Sequence, residues 1–169
     1  MRKIMLLLLV CAASIYGQNP TTDFRTGAGC GLQKTQYDVR LDTPDKGMIA
    51  PSPGKARVYV IEVVGTNNTG VTTRVGVDGT WVGANTGRGY ISLEVDPGGH
   101  NICADWQSIQ KARQQDGGAM VMRAEEGKTY YFVVGVLVQA LDFNLTQVDE
   151  VEGQWLLSIL QNSAWTMKK

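Results

Sequence analysis

The stretch that decides the fold runs from Thr72 to Trp106 and reads TTRVGVDGTWVGANTGRGYISLEVDPGGHNICADW. Its first turn signal is Asp78-Gly79, which lies between two runs of strand-forming residues. An Asp-Gly pair favours a two-residue type I′ turn, because both central residues of that turn need a positive φ. This turn predicts an antiparallel hairpin in which Val77 pairs with Thr80, Gly76 with Trp81 and Val75 with Val82.

The register sorts the side chains of this hairpin onto two faces. The apolar face, which we expect to face the core, carries Val75, Val77 and Val82. The opposite face carries Arg74 and Trp81. We expect Trp81 to lie over Gly76, since an aromatic ring can cover the bare backbone of a glycine on the neighbouring strand.

The second turn signal is Asp96-Pro97-Gly98-Gly99, which predicts a second hairpin with a four-residue loop. The loop pairs Val95 with His100, Leu93 with Ile102 and Ile91 with Ala104, all on one face. The other face then carries Tyr90, Ser92, Glu94, Asn101, Cys103 and Asp105. A three-residue loop would mix the two sets, because a slip of one residue exchanges the faces of a strand.

Strand patterns continue on both sides of this stretch. Residues 55–65 (KARVYVIEVVG) are apolar at both parities except at Glu62, which is typical of a central strand covered on both faces. The segments 120–125 and 128–139 are expected to pair around the turn between them. Residues 141–147 alternate apolar and polar side chains, which predicts a half-exposed edge strand.

Three remaining segments have weaker patterns. Tyr37–Leu41 predicts a short edge strand within an otherwise irregular N-terminal region. Residues 108–118 are polar, and either a short helix at 109–114 or a mobile loop fits them. Residues 149–160 (DEVEGQWLLSIL) predict an amphipathic helix with acids in its first turn, which suits the helix dipole. We expect its apolar positions to pack on the sheets: Val151, Trp155, Leu156, Ile159 and Leu160.

About seven strands with closely spaced turns and one short C-terminal helix predict a mainly all-β fold, either an antiparallel β-sandwich or a partly open barrel. The expected organisation is a signal peptide at residues 1–17, an irregular segment at 18–54, the sandwich domain with its terminal helix at 55–161, and a tail at 162–169.

The first residues predict export. Arg2 and Lys3 precede an apolar run that is too short to span a membrane as a mature helix, and small residues follow. We expect cleavage after Gly17, with Ser14 as the alternative. Val10 stands where a lipoprotein signal would have a small residue, so Cys11 is interpreted as part of the removed leader. The mature chain is therefore expected in the periplasm or outside the cell, with no transmembrane segment.

The two cysteines of the mature chain, Cys30 and Cys103, are expected to form a disulfide, as an even cysteine count in an exported protein suggests. Two separate buried thiols are the alternative. A bridge over this distance would stabilise the fold by roughly 4 kcal/mol in the chain-entropy model. It would also pin the N-terminal segment to the second hairpin.

Segments of this chain, taken in order, resemble a family of exported bacterial proteins known as domain of unknown function family 2846. The matching segments are PSPGKARVYVIEV, the 72–108 stretch ending in CADWQS, and RAEEGKTYYFVV. The VDG…PGGH pattern is also similar to PEGA-type envelope modules. The resemblance covers roughly Pro51 to Leu157 and implies export, a β-rich fold and a bacterial origin. It implies no catalytic residues.

The candidate sites are few. The near-neutral mature chain lacks the basic patches that nucleic acid or an anionic membrane would need. His100 is the only histidine, and we expect it to cap a turn or to pack its ring at a strand end, because a catalytic or zinc role would need partners that are not apparent. No cofactor or metal motif is present in the sequence, so none is expected.

One constellation favours binding: Trp81, Arg88 and Tyr90. Exposed aromatic residues beside an arginine would suit a protein or glycan, although burial under another part of the chain is the alternative. We expect a non-enzymatic module with a binding or structural role in the bacterial envelope and with a protein or a surface glycan as its partner. The alternatives are a small-molecule or sugar-binding protein, and a glycoside hydrolase using Glu94 and Asp105.

Overall fold

The computed structural model describes Cys30 and residues 35–42, 49–63, 72–107, 118–137 and 142–168. Within these ranges the chain forms ten strands and one helix. In chain order they are β1 (Tyr37–Leu41), β2 (Ala56–Glu62), β3 (Thr72–Val77), β4 (Thr80–Thr86), β5 (Gly89–Val95), β6 (Gly98–Trp106), β7 (Gly118–Ala124), β8 (Thr129–Leu137), β9 (Asp142–Val148), α1 (Glu150–Ile159) and β10 (Gln161–Met167).

The strands form two sheets, which confirms the β-sandwich with one short helix and excludes a closed barrel. One sheet has six strands in the order β1-β10-β5-β2-β8-β9, and the other has four in the order β4-β3-β6-β7. The described residues form ten strands rather than about seven, and most pairs are antiparallel, whereas β8 runs parallel to β2 and β10 runs parallel to β5. The strands of each parallel pair are distant in sequence, so no turn signal could predict that they pair.

The core lies between the two sheets and is apolar over most of its length. Both sheets contribute alternate residues to it, as expected of face-to-face packing. Its buried members include Val58, Val60, Ile91, Phe132 and Val134 from the six-stranded sheet, and Val75, Ile102, Ala104 and Met122 from the four-stranded sheet.

The first predicted hairpin is confirmed at its turn. Asp78 and Gly79 have φ values of 50° and 80°, as a type I′ turn requires. Val77 pairs with Thr80 and Gly76 with Trp81, but Val75 pairs with Gly83 rather than Val82. A β-bulge between Gly76 and Val75 causes this shift, because a bulge adds one residue to one strand.

The second predicted hairpin is wrong, although its faces are right. β5 pairs with β2 and β10, whereas β6 pairs with β3 and β7 in the other sheet. Ile91, Ile102 and Ala104 nevertheless all reach the inter-sheet core. Alternation identifies the inward face of a strand, and here the turn carries the chain from one sheet to the other. The predicted pairing of residues 120–125 with 128–139 fails for the same reason, since β7 and β8 lie in different sheets.

The predictions for central and edge strands are confirmed. β2 is buried at every residue and lies between β5 and β8. β1 and β9 are the edges of the six-stranded sheet, and Leu145 of β9 is buried while Asn144 and Thr146 are exposed. The polar segment 108–117 and the leader lie outside the described residues.

The predicted helix is confirmed, but only part of the expected face is buried. The Asp149 side chain caps α1 by accepting a hydrogen bond from the backbone N–H of Glu152 at 2.9 Å. The buried residues at this helix are Gly153, Leu156, Leu157 and Leu160, whereas Val151, Trp155 and Ile159 are exposed. A Cβ at Gly153 would collide with the Tyr131 ring of β8. Because glycine has no Cβ, this side of the helix can lie close against the sheet.

The expected C-terminal tail is instead strand β10. Its residues 163–167 run antiparallel to the whole of β1, and Gln161 and Asn162 run parallel to the start of β5. Ser163 is buried, and the Trp165 indole lies where a Cβ at Gly83 would be. The sandwich therefore extends beyond both predicted boundaries, at residues 54/55 and 161/162, because its two flanking segments pair with each other.

Candidate functional site

The predicted binding face of Trp81, Arg88 and Tyr90 is not assembled in the structure. Trp81 is 7% exposed and Tyr90 is 3% exposed, and the two belong to separate clusters on different sheets. Arg88 is exposed in the β4–β5 turn with φ 64°. The alternative of burial under another part of the chain is therefore correct for both aromatic residues.

Trp81 packs against Cys30 and Tyr37, which both belong to the predicted N-terminal segment. The disulfide between Cys30 and Cys103 holds Cys30 on the outer face of the four-stranded sheet. The guanidinium of Arg74 lies 4.5 Å from the centroid of the Trp81 ring and also forms a buried ion pair with Asp105. Trp81 covers Gly76 as expected, since a Cβ there would lie 3.2 Å from its ring. These contacts make the face a packed layer.

Tyr90 is covered by α1 on the outer face of the six-stranded sheet. Tyr59 stacks on Tyr131 with ring centroids 5.5 Å apart and meets Tyr90 edge to face at 6.0 Å. Leu156, Leu157 and Leu160 of the helix complete this cluster. The three tyrosines thus form the surface on which the helix packs. The sequence analysis did not predict this surface.

His100 links the Asp78-Gly79 turn to the Asp96–Gly99 turn. Its Nδ1 lies 2.7 Å from Asp78 Oδ2, and its Nε2 lies 2.7 Å from the Asp96 carbonyl oxygen. Both partners accept hydrogen bonds, so the geometry suits the doubly protonated ring. Burial alone would lower the pKa of His100, but the hydrogen bonds to Asp78 and Asp96 and their charges raise it overall. The predicted turn-capping role is confirmed.

The two carboxylates of the glycosidase alternative do not meet. Glu94 lies on β5 and forms a 2.6 Å ion pair with Arg57, whereas Asp105 lies on β6 of the other sheet and pairs with Arg74. The backbone N–H of Ser52 donates to Glu94 and holds the pKa of its carboxyl below the ordinary value. Separate arginine partners on separate sheets do not provide the facing pair of carboxyls that glycoside cleavage needs.

Glu62 is a buried acid that the sequence marked only as an exception in an apolar strand. It is 1% exposed at the end of β2, and its Oε2 has no hydrogen-bond partner among the described residues. Burial raises the pKa of this carboxyl to about 7, and the Thr73 hydroxyl of the opposite sheet opposes that rise only in part. The group lies inside the sandwich, on the inward face of β2.

One shallow groove lies along the paired strands β1 and β10. It has a volume of about 310 Å³, and its lining residues are Asp38, Val39, Arg40, Ala164, Trp165 and Thr166. We call it the β1–β10 groove. An acid, a base, a hydroxyl and an aromatic side chain around a small alanine suit a polar neutral molecule such as a sugar.

The most exposed apolar surface on the helix consists of Val151, Trp155 and Ile159, which we call the α1 stripe. These side chains are 79%, 59% and 52% exposed, respectively. They repeat every four residues and therefore share one side of the helix. The acidic residues Glu150 and Glu152 lie on either flank of the stripe at the N-terminal end, and no basic residue lies within α1.

A scan against models of protein families, a search of curated proteins and a search of solved structures each found no match. The resemblance to domain of unknown function family 2846 therefore stays a prediction. Within the described ranges, no helix combines the length and hydropathy needed to cross a bilayer. The same residues contain no group of three or more His, Cys, Asp or Glu side chains arranged to hold a metal ion.

Proposed function

We propose that this chain is an exported, non-enzymatic β-sandwich module of the bacterial envelope that binds another protein through the α1 stripe. The observation that carries the proposal is that α1 is apolar on both sides. Its inner side already has a complete partner in the tyrosine cluster of the six-stranded sheet. Its outer side presents Val151, Trp155 and Ile159 to solvent.

The energetics of such a helix favour a partner. Exposed apolar area costs about 25 cal/mol per Å² relative to burial, so a helix with apolar residues on two of its sides is more stable when both sides are covered. A tryptophan on a helix surface is also a typical anchor for a protein contact, since it brings large area at low entropy cost. Covering the α1 stripe would remove this cost without disturbing the core.

Export is supported by two separate features. The disulfide between Cys30 and Cys103 is of the kind that persists in oxidising compartments. The leader-like composition of residues 1–17 supports the same conclusion.

The proposal can be tested by site-specific photo-crosslinking in the native host. The full-length chain would carry p-benzoyl-phenylalanine in place of Trp155. The matched control would carry it in place of Val121, which is equally apolar and 63% exposed on β7 of the other sheet. We expect a discrete protein adduct at position 155 that is lost on adding Ile159→Glu. Equal yields at positions 155 and 121 would contradict a specific docking surface.

A second candidate function is binding of a sugar or another small polar molecule in the β1–β10 groove. The groove places Trp165, which is partly exposed, beside Asp38, Arg40 and Thr166. A soluble-glycan array separates the two functions. Binding that is lost in Arg40→Ala and retained in Trp155→Ala would favour the groove, and the opposite pattern would favour the α1 stripe.

A further inference from the structure

Building on the proposed function, we propose that the partner is a protein with a concave apolar groove, and that basic residues line the end of the groove which receives the N-terminus of α1. The observation behind it is the distribution of charge around the α1 stripe. Successive residues of a helix are about 100° apart, so Glu150 and Glu152 stand on opposite flanks of Val151. Both are exposed, as is the capping residue Asp149.

The charged residues of α1 itself are confined to its first turn. The last turn of α1 carries no basic residue, and Ser158, Ile159 and Leu160 lead directly into Gln161 and Asn162. Charges around an interface give orientation and speed of association more than affinity. A groove with basic residues at one end would therefore accept α1 in one direction only.

A second copy of this chain fits the stripe poorly. Two convex helices touch along a line, and even a fully covered tryptophan contributes no more than about 250 Å². A stable specific interface buries roughly 800 Å² on each partner. A concave groove would cover the flanks of the helix as well as the stripe.

An anionic membrane surface also fits poorly. Helices that lie in a bilayer interface typically have lysine or arginine on their polar face, which attracts acidic lipids. The flanks of the α1 stripe are acidic at one end and neutral at the other. Protein recognition by a helix in a groove uses the same spacing of apolar anchors, and the sign of its rim charge is free to vary.

The test begins with the adduct formed by the Trp155 crosslinker in the full chain, identified by mass spectrometry. The identified protein is then titrated calorimetrically with the purified chain and with Glu150→Gln plus Glu152→Gln. Glutamine at both positions keeps the polar shape, the Asp149 cap and the acceptor for Gln154, so the helix should stay folded. The matched control is Glu125→Gln plus Glu126→Gln, two exposed acids on the β7–β8 turn.

We expect the Kd to rise roughly five-fold when the two helix acids are neutralised, the size expected for losing two exposed ion pairs, and to stay unchanged in the control. Unchanged affinity in both variants would overturn the charged groove and leave the proposed function standing. An adduct with the mass of two copies of this chain, or an adduct with lipid, would overturn the inference, because it would show that another molecule covers the α1 stripe. Absence of any adduct specific to position 155 would instead remove the proposed function itself.

Discussion

Glu62 places a carboxyl group inside the sandwich, at the end of the central strand β2. Around it the core changes from apolar to polar, since Thr73, Asn85 and Ser163 are all buried there. Its neighbour across the ladder is Gly89, and the space above that glycine is filled by Ser163 and Asn85. No titratable side chain faces Glu62 from these positions, so burial raises the pKa of its carboxyl and the Thr73 hydroxyl opposes that rise in part.

We predict that Glu62→Gln stabilises the fold at pH 8 and changes little at pH 5. The folded-state pKa of about 7 lies above the ordinary value of 4.5, so the folded protein holds this proton more tightly than the unfolded chain. Stability contributed by the protonated group is therefore lost as pH rises from 4.5 to 7, by about 3 kcal/mol in total. Urea unfolding at the two pH values measures the difference, with the exposed Glu125→Gln as control. Equal effects at both pH values would contradict the prediction.

The pKa of His100 gives a second prediction at the scale of single residues. Since the folded-state pKa is raised, the stability that it contributes is complete below the unfolded value and is lost as pH rises through the folded value. We expect Asp78→Asn to lower the pKa of His100, because the variant removes the nearest negative charge. Asparagine still tolerates the positive φ of the turn.

NMR titration measures this pKa directly, and the signal is unambiguous because the chain has one histidine. The control is Asp38→Asn, whose carboxylate is exposed and pairs with Lys168 instead. The loss of stability at pH 5 should be no more than about 1 kcal/mol, because Asp78 is half exposed and solvent screens the pair. An unchanged His100 pKa would show that its hydrogen bonds do not require the charge of Asp78.

For the strands and the helix, the sequence predicted the type of each element and the inward face of each strand far better than it predicted which strands pair. Val75, Ile91 and Ile102 were each placed on the inward face, and each lies in the core. Their strands were nevertheless paired wrongly beyond the first hairpin, because β5 and β6 face each other across the core rather than along a ladder. Side-chain alternation reports burial, which both arrangements satisfy equally. Ladder partners depend on where a turn directs the chain, and the Asp96–Gly99 turn directs it into the opposite sheet.

In the helix, too, the sequence pattern did not identify which residues contact the rest of the protein. Its residues 149–160 contain more apolar positions than one face can hold, so periodicity alone could not choose between Trp155 and Leu157. The choice is made by Gly153, which allows α1 to approach the Tyr131 ring. The candidate site was missed for this reason, since the stripe that the sequence assigned to the core is the surface that remains exposed.

Gly153→Ala should therefore destabilise the protein, against the usual preference of helices for alanine. Alanine would ordinarily favour a helix interior by about 1 kcal/mol over glycine. Here the added methyl group would collide with the Tyr131 ring, and overpacking of this kind costs about 1–3 kcal/mol. Thermal or urea unfolding measures the change, with Ser158→Ala on the exposed side as the matched control. A gain in stability for Gly153→Ala would mean that α1 does not depend on this close approach.

At the scale of the whole molecule, the two ends of the chain complete the sandwich. β10 lies between β1 and β5, and the backbone groups of Tyr37 are bonded to the side-chain amide of Gln107 in the other sheet. The pairing of β1 with β10 could not be predicted from the sequence, because the two strands are more than a hundred residues apart and no turn signal joins them. The disulfide was predictable from cysteine count and compartment, and it places the N-terminal segment over Trp81.

This arrangement makes the disulfide the support of one outer face rather than of the core. We predict that Cys30→Ser plus Cys103→Ser lowers the free energy of unfolding by about 4 kcal/mol, as expected in the chain-entropy model for a bridge across 73 residues. In the folded variant, hydrogen exchange should accelerate in β3 and β4, because Cys30 packs on their outer face. Exchange in β2 and β8 should stay slow, because the inter-sheet core packs without the bridge. Uniform acceleration in all strands would show instead that the bridge supports the sandwich as a whole.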